Sequence, residues 1–148
     1  MCSSEERFEM GIGVAWGSGH QIEGTPFRVV VPGSDTGGHA VVLTVDMPAG
    51  LHVDAHTHES EEQINIVLSG QVRFRVGDEE TVLGAGGVLL MPRLIEHELW
   101  NDTEESAQII EIYTPPGMEQ NFAAAGAAAI AGGNSFADAE DYAASRSG

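Results

Sequence analysis

His52, His56, His58 and Gln63 crowd one short stretch of the chain, residues 50–70, GLHVDAHTHESEEQINIVLSG. His56 and His58 are two apart, so on an extended strand both imidazoles leave the same face. Neutral imidazole is the ligand that zinc, iron, nickel and copper share, which makes this pair half of a metal site. The plain alternative is a pair of surface histidines in an acidic turn. Gln63 follows after four residues, room enough for a turn or bulge and a return. His52 stands four residues before His56 on the same nominal face, but an extended chain places it roughly 13 Å away. It could ligate only if a bulge intervened, and otherwise it serves as a pocket acid/base, a rim group or a surface histidine.

The other half of such a site must come from elsewhere in the chain. His97, in PRLIEHELWN, is the best candidate, because a strand opening just after the Pro92 turn would aim it inward. His39 starts a strand and His20 lies in a Gly-rich turn, so both read as structural or exposed. His56, His58, Gln63 and His97 would give three imidazoles and one amide oxygen. One or two positions would stay open to water or substrate, the arrangement of a catalytic site and not of a closed structural one. A neutral Gln63 leaves a divalent ion at its full charge, so bound water becomes more acidic and an anionic oxygen is better held. One divalent ion per chain is expected, zinc first, with iron, nickel, manganese or copper also suited to the donor set.

These groups need strands to position them, and the chain supplies a regular series. Runs at 27–31, 39–47, 51–56, 63–68, 71–76, 80–83, 88–91, 96–100 and 107–113 are apolar or alternating and separated by Gly and Pro. Residues 11–16 add a possible edge strand, and the Ser69-Gly70 turn predicts a hairpin between 63–68 and 71–76. About eight or more short strands with no helix between them predict an all-β fold, an antiparallel β-sandwich or jelly-roll barrel. Pro115-Pro116-Gly117 ends the sheet region. Ala-rich residues 119–131 form a candidate helix and 136–144 a second, a short C-terminal extension that covers one end of the barrel. The expected division is a lead-in at 1–26, the barrel at 27–114 and the extension at 115–148.

Within these strands the parity of Gln63 turns Asn65 and Val67 inward, and Leu99 shares the parity of His97. Ile110 or Ile112 would line the interior from a neighbouring strand, with Phe27, Val29, Phe74 and Trp100 as further candidates. The cavity should be mostly apolar, fit for an aromatic or polyketide-like small molecule. Ile64, Ile66 and Leu68 face the other way, between layers or at a contact in a possible homodimer.

Composition narrows the partners. Six Arg, no Lys and 23 acidic residues give a net charge of −17, which leaves no basic patch for nucleic acid or an anionic membrane. The lone cysteine, Cys2, excludes an internal disulfide. The start MCSSEERFEM lacks the basic and apolar regions of a signal peptide, so a cytoplasmic protein is expected.

Gly50-x5-His56-x-His58-x4-Gln63-x6-Gly70 resembles the first motif of the cupin superfamily, with Gln in place of its usual Glu. Gly86-x5-Pro92-x-Leu94-x2-His97-x3-Asn101 resembles the second, with Leu94 in place of a turn glycine. Fifteen residues separate the two, the short spacing of a single-domain cupin. The resemblance implies one metal held inside the barrel by His56, His58, Gln63 and His97.

No side-chain nucleophile stands at triad spacing, so the metal is expected to act directly. The favoured chemistry is non-redox: a carbonyl or enolate is polarised and a proton shuttled for cyclisation, isomerisation or dehydration, as in the cupin polyketide cyclases and sugar-acid-processing cupins. His52, Glu62 and Asn65 are the candidate groups for that work. Glu59, Glu61 and Glu96 read, like Glu62, as turn residues of which one could supply the base. A dioxygenase resembling the flavonol-cleaving cupins is the alternative, and a non-catalytic binding cupin is the third.

Overall fold

A computed structural model describes residues 13–132 of the 148-residue chain. Ten strands run in order: β1 (His20–Gln21), β2 (Phe27–Val31), β3 (Val41–Met47), β4 (His52–His56), β5 (Glu62–Ser69), β6 (Val72–Val76), β7 (Glu79–Leu83), β8 (Val88–Met91), β9 (His97–Trp100) and β10 (Ala107–Thr114). A 3-10 turn at Gly33–Thr36 links β2 to β3, and one α-helix, α1 (Met118–Gly132), follows β10. The second candidate helix and Cys2 lie outside the described residues. Residues 13–16 form no strand, and Gly11 and Ile12 lie outside the described range.

Two antiparallel sheets result. One has six strands in the order β1-β2-β3-β10-β5-β8, the other four in the order β4-β9-β6-β7. Their facing sides share one core: Val41, Leu43, Val45 and Met47 from β3, Ile109 from β10 beside it, Val67 from β5 beyond, and Val53, Val72, Phe74 and Leu99 from the smaller sheet. Period-two alternation in β3, β5 and β10 builds this core, because every second side chain turns inward.

This topology corrects the expectation of an all-β sandwich or jelly-roll barrel. The two sheets are not closed on each other; among the described residues no strand ladder joins them, and β1, β7, β4 and β8 remain edges. Counting strands cannot reveal closure, which requires each edge to find a partner. The helix also belongs to the core and is not merely an appended cover: Met118, Phe122, Ala125 and Ala129 are buried in it, so the architecture mixes helix and sheet. Gly126 allows this docking. A Cβ there would collide with the Glu23 carbonyl oxygen, so the helix backbone meets the loop before β2 directly.

The predicted 63–68/71–76 hairpin is likewise absent. β5 pairs with β10 and β8, while β6 pairs with β7 and β9, so the turn at Gly70 carries the chain from one sheet to the other. Gly70 adopts φ 77°, and a Cβ would sit 2.8 Å from Ala107 Cα, so only glycine makes this crossing without displacement.

Candidate metal centre

The centre forms where the ends of the two sheets meet. His56 ends β4 and His97 opens β9, and the ladder sets them directly opposite each other. His58 lies two residues past β4, in the segment that crosses to β5. Its carbonyl accepts a hydrogen bond from the Leu94 amide at 2.8 Å, tying this segment to the loop before β9. One nitrogen from each of His56, His58 and His97 lies within 4.8 Å of the others. All three rings are buried, with centroids 4.2–5.0 Å apart.

The electrostatics favour neutral imidazoles ready to ligate. Burial lowers the His58 pKa to about 4, although its contact with Gln63 opposes the shift. His97 is driven much further down by burial and by the neighbouring His56 and His58. The Asp54 carbonyl accepts from His56 Nδ1 at 2.7 Å, which fixes the tautomer with the proton on Nδ1 and the lone pair on Nε2. Neither nitrogen of His97 makes a hydrogen bond of ordinary geometry. Such an orphaned buried pair is costly unless something else occupies its lone pair, and an ion bound by all three rings would do so. The three histidines are thus capable of coordinating a divalent metal.

Gln63 approaches the same point from β5, with Oε1 3.1 Å from His58 Nε2. That is near the separation of adjacent ligand atoms on an ion bonded at about 2.1 Å. Gln63 also begins a buried chain of polar groups. Its Nε2 donates to Asn65 Oδ1 at 2.8 Å, Asn65 Nδ2 donates to Glu111 Oε2 at 3.2 Å, and Tyr113 Oη donates to Glu111 Oε1 at 2.8 Å. Register explains the chain: Gln63 faces Tyr113 and Asn65 faces Glu111 across the β5–β10 ladder. Burial raises the Glu111 pKa to about 7 against the hydrogen bonds from Tyr113 and Asn65.

Beside these groups lies a cavity of about 20 Å³, bordered by His56, Gln63, Glu111 and Tyr113 and by apolar Phe27, Val53, Leu99 and Phe122. The expected apolar character is present, but the space suits about one water molecule. Phe27 and Phe122 stack across it at 4.1 Å, bringing α1 over the site. A wider groove of about 580 Å³ runs between α1 and β1–β2, lined by His20, Glu23, Glu119 and Ile130, and borders none of the three histidines.

Inward-facing Asn65 and Val67 match the expected parity of β5. On β10 the expected faces are exchanged: Ile109, Glu111 and Tyr113 are buried, while Ile110 and Ile112 lie on the half-exposed side. Glu111 and Tyr113 are therefore site residues that sequence reasoning missed. Two isoleucines had favoured the opposite parity, and an acidic residue alternating with Ile109 and Tyr113 was the available signal.

His52 and Glu62 are not brought to the histidine cluster. A bulge between Val53 and His56 adds one residue to β4, so Val53 and His56 both turn inward while His52 turns out. There His52 stacks on Trp100 at 5.2 Å and lies 2.6 Å from Glu98 Oε2, in a second cluster with Asp54. Trp100 also lies beneath the Arg73 guanidinium, away from the cavity. Glu62 is half-exposed and accepts the Arg93 amide at 2.9 Å.

The matching family model is described as "Cupin domain" and spans residues 43–113, from β3 through β10. The chain has the cupin fold. KdgF from Halomonas sp. matches with TM-score 0.60 at 19% identity, covering 70% of this chain and 90% of that one. The Cnp3 cupin domain of Schizosaccharomyces pombe gives 0.62 at 16%, covering 74% and 72%. An RmlC-like cupin from Shewanella frigidimarina gives 0.58 at 17%, covering 72% and 93%. None of the curated proteins compared matches the chain. The likeness extends to cupins broadly, and neither polyketide cyclases nor flavonol-cleaving enzymes stand out among them.

As in the second cupin motif, which residues 86–101 resemble, the turn before His97 takes a left-handed residue, and Leu94 adopts that conformation at φ 69°. The local geometry survives the substitution of leucine for glycine, at some backbone cost. Among the described residues no helix is long and apolar enough to cross a membrane.

Proposed function

We propose that this cupin is a metal-dependent enzyme of non-redox proton transfer, of the isomerase, cyclase or dehydratase type. One observation carries the reading: the Glu111 carboxyl, with a pKa raised to about 7, borders the same cavity as His56 and Gln63. A buried group balanced near neutrality is suited to accept and return a proton. Gln63 cannot play that part, and Glu111 supplies the base that a neutral ligand set lacks.

His56, His58, His97 and Gln63 would hold a divalent ion, zinc first among the candidates. Bound there, the ion would supply Lewis-acid polarisation of a carbonyl or enolate oxygen. Glu111 would take a proton at the carboxyl, with Tyr113 Oη and the Asn65 amide holding both its oxygens in place. Phe27, Val53, Leu99 and Phe122 exclude bulk water from the exchange. A substrate larger than water must widen this cavity, whose walls include the stacked Phe27 and Phe122, which favours a small carbonyl compound or one that opens the site as it binds.

The test is deuterium exchange at the α-carbon of enolisable carbonyl probes, followed by NMR in D₂O with zinc-loaded protein. Zinc-dependent exchange, lost at least 100-fold in Glu111→Gln and in His97→Ala, is the expected result. Oxygen consumption with iron-, nickel- or copper-loaded protein would transfer the assignment to a dioxygenase. Tight metal binding without exchange or oxygen uptake would leave a binding protein.

A further inference from the structure

The polar chain running inward from the histidines has a direction, and that direction is set at its far end. Glu111 is a buried carboxyl whose two oxygens both accept, one from Tyr113 Oη and one from Asn65 Nδ2. Asn65, itself fully buried, turns its NH₂ toward the ionised Glu111 and its oxygen toward β5's other polar side chain. Gln63 Nε2 donates to that oxygen at 2.8 Å. With its NH₂ so engaged, the Gln63 amide has one orientation left, with Oε1 toward His58. A reversed amide would point a donor at imidazole lone pairs and could ligate nothing.

We infer that Asn65 and Glu111 are positioning residues that fix the Gln63 side-chain amide with its oxygen toward the three histidines, and so make Gln63 a metal ligand. The inference rests on the proposal that these histidines and Gln63 hold an ion. Fixing the ligand by a neighbour in turn fixed by a carboxylate is the logic of outer-shell partners at metal sites. Here the neighbour is an amide relay, and it is needed because Gln, unlike Glu, has two unlike ends.

The experiment is a double-mutant cycle read by zinc affinity, using chelator competition with the full-length protein. Asn65→Ala and Gln63→Ala should each weaken zinc binding about ten- to a hundred-fold. The double variant should be no weaker than Gln63→Ala alone, because Asn65 acts only through Gln63. Glu111→Met should behave like a milder Asn65→Ala, again without effect in the Gln63→Ala background, and serves if Asn65→Ala does not fold. Losses that multiply in the double variants would overturn the inference while leaving the ion site intact. Wild-type protein that takes up no zinc, iron, nickel or copper would sink the ion site, and the inference with it. Melting temperatures of the folded variants separate loss of structure from loss of orientation: the coupling must appear in affinity and not in stability.

Discussion

Among the described residues two clusters each bring a histidine and two further ligating side chains within 4.8 Å, yet they are opposite in character. His56, His58 and His97 are buried with no acidic group in the cluster, and neither nitrogen of His97 makes a hydrogen bond of ordinary geometry. His52, Asp54 and Glu98 lie on the outer side of the smaller sheet and satisfy one another. Burial would raise the Glu98 pKa, but hydrogen bonds from His52 and Arg75 outweigh it and hold the carboxyl below its usual range. Arg75 also reaches Glu96, and Arg73 pairs with Glu80 and Asp102 on the same face. Proximity of ligating atoms is common to both. What separates them is burial and charge: the inner cluster is three buried imidazoles, the outer one a part-exposed histidine between two carboxylates.

The sharpest way to break this contrast is to remove one histidine from each side. His97→Ala should lower zinc affinity by at least a thousand-fold, whereas His52→Ala should leave it within about threefold; equilibrium dialysis measures both. Equal losses would erase the distinction.

A second test uses pH. His58 titrates near 4 in the folded protein and near 6.5 when unfolded, so the unfolded chain binds more protons between those values. Stability from this group is complete above 6.5 and falls by about 3 kcal/mol as pH drops toward 4. Glu111 works the other way. Its folded pKa near 7 exceeds the ordinary 4.5, so ionising it costs stability as pH rises through that interval. Glu111→Gln should therefore gain on wild type by about 3 kcal/mol between pH 4.5 and 8, read from denaturant melts across pH. A constant difference would show that Glu111 is not a buried carboxyl of this kind.

The smallest effect concerns the loop that delivers His97. Leu94→Gly should relieve the left-handed strain at φ 69° and stabilise the protein by about 1 kcal/mol without altering zinc affinity. Destabilisation would mean that the exposed Leu94 side chain contributes more than its backbone costs.

Much of the site was legible because its signals are local. The His-x-His pair, Gln63 and His97 stand in motifs whose turn residues hold them, and the parity of β5 follows from Gln63 onward. Strand positions were legible for the same reason: VRFRV and VVLTVDM alternate or are β-branched, and Gly or Pro bounds them. What failed was non-local. The Gly70 turn has the same composition whether the chain reverses within a sheet or crosses to the other. The bulge that expels His52 leaves no mark in HVDAH. In AQIIEIYT either face can be read as apolar, and only pairing with β5 decides that Glu111 goes inside. Sheet closure was the least local of all, since it depends on four edges at once.

The stack of Phe27 on Phe122 has a kinetic consequence. A cavity of about 20 Å³ admits nothing larger than water while those rings are in contact. Occupation by an organic molecule requires the cavity to widen, and one of its walls, α1, is joined through residues 115–117 to the strand that carries Glu111 and Tyr113. Binding rates should then level off at high ligand concentration, at the frequency with which the cavity widens and not at the rate of collision.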